Sequence, residues 1–233
     1  MRIRGVAHRG YPRNYPENTL SSFQAAIDLG FTHMELDVHL SKDGVPVVMH
    51  DHSIDRMTDG KGEIKNYTLK ELKQFNIEPD EKIPSLKEAL LLAKDQIIVS
   101  IELKKPELYP GIEKKVYEVI SKLDMIDQVY IISFNHKTLA KLRVLSSELH
   151  IGPLVSRVKK SHFNLIKKLN ANYFAVKYDS VKDKHIKQCE DMDVQLVVWT
   201  VNREEDMTSI GNYPSVLVTT DELEKYSNLY LTR

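Results

Sequence analysis

The chain has 233 residues, enough for one large domain or two small ones and for a substantial core. Its 33 Lys and Arg balance 33 Asp and Glu, which argues against the basic excess of a broad nucleic-acid surface. A single cysteine, Cys189, excludes an internal disulfide framework, and no apolar run approaches the roughly 18 residues of a membrane span.

The N-terminal stretch MRIRGVAHRG has no apolar signal-peptide core, so a cytoplasmic location is expected. A strand is predicted at 3–8, ending on His8 and Arg9. A helix follows from an N-cap at Asn18 and stops at Gly30. The second strand, 33–38, reads HMELDV. Residues 39–84 then break the pattern. They open on HLSKDGVPVVMHD, with a hairpin signal at Asp43-Gly44, and continue as a polar, turn-rich stretch with one short helix after Thr68. The helix beginning SLKEALLLAK carries a capping box, Ser85 with Glu88.

From there strands and helices alternate. Strands are expected at 97–104, 129–134, 150–156, 173–178, 194–201 and 216–221, and helices over GIEKKVYEVISKL, HKTLAKLRVLSS, SHFNLIKKL, DKHIKQCEDM and NREEDMTSI. Several strands are apolar on both faces, as parallel strands covered on both sides must be. Strand then helix, repeated about eight times, predicts an α/β fold, a (β/α)8 TIM barrel. The expected organisation is one barrel domain over residues 1–233. Its insertion, at about 39–84 after the second barrel strand, caps the mouth. An open doubly wound sheet is the structural alternative.

Strand geometry sorts the chemistry. Side chains two apart share a face, so Glu35 with Asp37, and Glu102 with Lys104, point the same way. In a barrel the strand C-termini converge on one functional face. With Asp43-Gly44 as central turn residues, Lys42 opposes Val45 and Asp37 opposes His50, which brings a second imidazole to the same place. Glu35, Asp37 and Glu102 together repel one another unless protonated or bridged by a cation. An all-carboxylate set suits a hard divalent ion, Mg2+ or Ca2+. Arg9 and Lys104 are the anion-binding candidates. The charges sum to −3 from carboxylates, +2 from the ion and +2 from the bases, or about +1, suited to a singly charged phosphodiester. His8 and His50 titrate near neutrality and supply the base and acid that cleavage needs.

These residues also carry a resemblance. AHRG…PENT followed by ELDV, DGVPVVMHD, IPSLKEAL, IELK, SFN and WTVN resembles the glycerophosphodiester phosphodiesterase family over about residues 6 to 221. The stretch NYPSVLVTTD departs from the Gly-rich turn that such proteins carry before the last strand. The resemblance implies a TIM barrel and a small-molecule glycerophosphodiester substrate cleaved to glycerol 3-phosphate and an alcohol. Attack by the substrate's own glycerol hydroxyl, through a cyclic phosphate, is often proposed for such enzymes. By position it implies metal ligands at Glu35, Asp37 and Glu102, acid–base work for His8 and His50, and phosphate binding by Arg9 and Lys104. Glu17 would arrange the first loop, and Trp199 would wall the glycerol or the leaving group.

Other readings stand beside this one. They are a lysophospholipase D-like or cyclising phosphodiesterase, a metal-dependent sugar isomerase, and a barrel that binds phosphodiesters without turnover. Glu35 and Asp37 could form a buried ionic network with Arg9 and Lys104, and Trp199 could belong to the core. His39 is a candidate for the mouth, His52 should point away, and the basic run at 157–168 reads as a solvated helix face. The sequence leaves open the preferred alcohol, the native metal, which histidine is acid, and the oligomeric state.

Overall fold

The computed structural model describes residues 2–231. Strand β1 (Ile3–Ala7) pairs in parallel with both β2 (Phe31–Leu40) and the last strand, β9 (Leu217–Thr220). The remaining strands are β4 (Ile98–Leu103), β5 (Val129–Ser133), β6 (His150–Val155), β7 (Tyr173–Lys177) and β8 (Gln195–Trp199). They complete the ring β1-β9-β8-β7-β6-β5-β4-β2, which β1–β2 pairing closes. This is the expected eight-stranded parallel barrel. One further strand, β3 (Pro46–Val48), lies outside the ring and pairs antiparallel with β2.

The helices follow from local signals. Helix α1 (Leu20–Asp28) is capped by Thr19, whose hydroxyl accepts from the Ser22 amide, and not by Asn18 as the sequence suggests. Asn18 has a left-handed backbone and a buried side chain, a conformation Asn tolerates because its short amide bonds locally. Short α2 (Leu69–Leu72) follows Thr68. Helix α3 (Leu86–Ala93) carries the Ser85–Glu88 capping box. Helices α4 (Ile112–Lys122), α5 (His136–Leu145), α6 (Lys160–Leu169), α7 (Asp183–Glu190) and α8 (Glu204–Ile210) separate the later strands. The final helix, α9 (Leu223–Leu231), has no counterpart in the sequence reading. It buries Leu223 and Tyr226, whose hydroxyl donates to the Arg4 carbonyl.

Apolar side chains form three groups. The largest fills the layer between strands and helices, with Met34, Leu36 and Val38 of β2 facing Phe23 and Leu90 among others. Val6, Tyr130, Ile132, Leu154, Ala175, Val197 and Leu217 fill the barrel interior. The insertion has its own core of Val47, Met49, Ile54, Ile64, Leu72, Ile77 and Ile83. Full burial of such a side chain contributes about 1.5–3 kcal/mol, so the insertion is a packed unit fixed to the barrel.

The hairpin register differs from the expected one by a residue. Val38 pairs with Val48 and Leu40 with Pro46, so Asp37 stands across from Met49, whose amide donates to its carbonyl. The loop is longer than a two-residue turn because the Ser41 hydroxyl accepts from the Val45 amide and the Gly44 amide donates to the Ser41 carbonyl. A shifted register would turn His50 away on a continuing strand. Here β3 ends at Val48, and the freed chain brings His50 back to the barrel mouth. The edge β3 uses is the one β1 vacates. β1 ends with Ala7 beside Met34, while β2 runs on to Leu40.

Candidate active site

At the C-terminal end of the barrel, His8, Arg9, Glu35, His50, Glu102, Lys104 and Trp199 line one pocket of about 180 Å³. Register explains the carboxylates. Asp37 pairs with Glu102 and Glu35 with Ser100, so the acidic tips of two neighbouring strands rise together. One ligand oxygen from each of Glu35, Asp37 and Glu102 lies within 4.8 Å of the others, and all three residues are buried. Asp37 sits deepest, its carboxylate facing Arg9 Nε at 3.4 Å and Lys104 Nζ at 3.5 Å. Lys104 Nζ also lies 3.0 Å from Glu102 Oε1.

The cluster is electrostatically unbalanced. Burial and the Asp37 charge push Glu35 and Glu102 well above the usual carboxylate range. Burial acts the same way on Asp37, yet Lys104 and Arg9 outweigh it and hold its pKa down. With all three carboxylates ionised, as a bound cation would require, they leave one negative charge against the two bases (−3 + 2 = −1). The donor set, all oxygen and buried, fits a hard divalent cation, which would bring the sum to +1.

Each imidazole is backed by a carboxylate. His8 Nδ1 lies 2.7 Å from Asp221 Oδ1, and His50 Nδ1 lies 2.8 Å from Asp51 Oδ1. An ionised carboxylate only accepts, so each Nδ1 carries the proton and each Nε2 is left for chemistry. His8 Nε2 stands 3.9 Å from Glu35 Oε2. Burial lowers the pKa of both rings. For His8 the Asp221 hydrogen bond and the Glu35 charge outweigh it and the net direction is up. For His50 the positive charges of Lys104 and Arg9 leave it down.

A further shell holds these groups. The Arg9 amide donates to Glu35, at a residue whose backbone is left-handed. The next residue, Gly10, also has positive φ, and a Cβ there would run into the Ser22 backbone. Asn18 donates to Asp37 Oδ2 at 2.9 Å. Glu17 accepts from Arg9 and from Arg56 of the insertion, and Arg56 also donates to Asp51 at 2.6 Å. His39 is buried, its Nε2 3.2 Å from the His50 carbonyl, so it buttresses the pocket and does not line it. His52 stands beside Lys105 at the surface. Trp199 meets Phe134 edge-to-face at 5.8 Å, and both line the same pocket as the charged groups.

All eight residues singled out from the sequence therefore meet at one opening. Sequence reasoning passed over Asp221, Asp51, Arg56 and the true role of Asn18. Asp51 was visible as the neighbour of His50. Asp221 comes from the far end of the chain, and only barrel closure brings it to His8.

Known proteins share both sequence and architecture. A glycerophosphodiester phosphodiesterase of Caldanaerobacter subterraneus subsp. tengcongensis is 35% identical, with 98% of each chain covered. A second, from Bacillus subtilis, is 30% identical over 88% of this chain and 79% of its own. An Oleispira antarctica phosphodiesterase solved in complex with the product sn-glycerol-3-phosphate superposes with a TM-score of 0.89 at 26% identity, covering 99% of this chain and 98% of that one. The glycerophosphoryl diester phosphodiesterase family matches residues 8–225. From His8, just past the first strand, into the helix after the last, this chain belongs to that family.

Proposed function

We propose that this chain hydrolyses glycerophosphodiesters to sn-glycerol 3-phosphate and an alcohol, using His8 and His50 for proton transfer and a divalent cation, Mg2+ or Ca2+, held by Glu35, Asp37 and Glu102. The observation that carries this reading is the pairing of two carboxylate-backed imidazoles with a buried carboxylate triad and two bases in one pocket. The family relationship supports the substrate class. A bound cation would supply charge stabilisation to the phosphoryl oxygens. In this reading the chain works as one barrel domain, with the insertion as part of its mouth.

Arg9 and Lys104 hold the phosphodiester by its non-bridging oxygens. One imidazole takes the proton of the attacking oxygen through Nε2, whether water or the substrate's own glycerol hydroxyl, whose cyclic phosphate water then opens to glycerol 3-phosphate. The other, doubly protonated, gives its Nε2 proton to the alkoxide oxygen as its bond to phosphorus breaks, and such a step contributes about 10²–10⁴-fold. Asp221 and Asp51 keep each Nδ1 protonated and the rings oriented. Trp199 and Phe134 give the substrate an apolar wall.

The test is release of glycerol 3-phosphate from glycerophosphocholine, coupled to a dehydrogenase, with Mg2+ or Ca2+ and then with EDTA. Release that EDTA abolishes is expected. Choline release without glycerol 3-phosphate, or turnover only of lysophosphatidylcholine, contradicts the proposal.

A further inference from the structure

Resting on that reading, we infer that the enzyme is built for diesters whose leaving alcohol is itself anionic, held by a basic cleft on the β6–β7 side of the mouth. The pocket that holds the phosphodiester is small, so the variable alcohol has to extend outward. Leu154 of β6 and Ala175 of β7 line that pocket. Lys177, two residues beyond Ala175 on β7 and so on the same face, and Ser156, just past the end of β6, line a second cleft of about 530 Å³. Lys177 is also the register partner of Trp199, the pocket's aromatic wall. The cleft therefore takes up where the β7 wall of the pocket ends.

The cleft is charged in a chain whose total charge is zero. Arg157, Lys177, Lys182 and Lys184 line it against one carboxylate, Asp179. Lys177 pairs with Asp179 at 2.9 Å. The adjoining Asp183 does not line this cleft; with Tyr213, whose hydroxyl donates to it, it lines a neighbouring one. His185 accepts the Lys182 amide through Nδ1 and is neutral in that role. The balance is +4 − 1 = +3, at the place where the leaving arm emerges. A phosphate or second phosphodiester on the alcohol matches that charge. A choline cation does not.

Exposed ion pairs are individually weak and screened by salt, so the effect is a preference of about tenfold at low ionic strength. The test compares two glycerol phosphodiesters, one with ethanol and one with 2-hydroxyethyl phosphate as the alcohol. The wild-type kcat/KM should be about tenfold higher for the second. The triple variant Arg157→Gln, Lys182→Gln, Lys184→Gln should lose that preference while turning over the ethanol diester at the wild-type rate. The conservative triple Arg157→Lys, Lys182→Arg, Lys184→Arg should keep it. No preference in the wild type, or a preference that survives the Gln substitutions, overturns the inference. Failure of the wild type to cleave either diester with Mg2+ or Ca2+ instead sinks the proposed reaction, and this role of the cleft with it.

Discussion

His8 and Asp221 lie 213 positions apart in the chain, and their side chains meet at 2.7 Å where the first and last barrel strands run side by side. The second Asp221 oxygen accepts from Asn202 at 2.7 Å, so the carboxylate is itself fixed. Barrel closure and the orientation of one proposed catalytic imidazole are therefore the same structural event. Asp221→Asn removes the charge that sets the His8 tautomer. Loss of such a supporting group lowers activity by about 10–100-fold. Steady-state kinetics should show that loss in kcat, with cation affinity by calorimetry unchanged. A kcat near wild type would show that Asp221 only closes the barrel.

Asn18 reaches the deepest carboxylate from a buried, left-handed position. Asn18→Ala leaves Asp37 short of a donor and free to move. Cation affinity should fall by about 10–100-fold, read by calorimetric titration with Mn2+, before any change in the secondary-structure spectrum. Equal affinity would show that Asn18 serves only the loop.

Arg56 ties the insertion to the first loop by bridging Asp51 and Glu17. Against burial, which acts the other way, its hydrogen bond and that of His50 hold Asp51 down to about 2. Arg56 is half exposed, so Arg56→Ala should change stability by less than about 1 kcal/mol. The kcat should still drop several-fold, because His50 loses its fixed partner. Thermal unfolding and kinetics on the same sample separate the two effects.

Without a cation, burial and the Asp37 charge raise Glu35 to about 8 and Glu102 to about 7. Both values lie above the unfolded ones, so the folded chain holds extra protons near neutrality. The stability these groups contribute is fully present below the unfolded carboxylate range and is lost as pH rises through about 7 to 8. A cation competes with those same protons. Added Mg2+ or Ca2+ should therefore raise the melting temperature more at pH 8 than at pH 6. An equal rise at both pH values would place the cation on other groups.

The barrel was legible because its strands are short apolar runs bounded by turn residues, and longer amphipathic helical patterns lie between them. The site was legible because Glu35–Asp37 and Glu102–Lys104 sit two apart on such runs. Alternation then decides their direction without any tertiary information. What sequence could not show depends on contacts between distant segments or on loop geometry. Asn18 looks like a helix cap, and only the packed loop reveals that Thr19 takes that role and frees Asn18 for Asp37. The hairpin reads as a two-residue turn because Asp-Gly favours one. The Ser41 hydroxyl binds the Val45 amide and lengthens the loop, and no local propensity encodes that bond. His50 reached the predicted place by a different route, through the early end of β3.

The most direct test of the central claim is anomalous diffraction from crystals grown with Mn2+ and glycerol 3-phosphate. A single strong peak between the carboxylates of Glu35, Asp37 and Glu102, with the phosphate against Arg9 and Lys104, is the predicted result. A peak elsewhere, or Lys104 remaining between Asp37 and Glu102 with no ion bound, would contradict it.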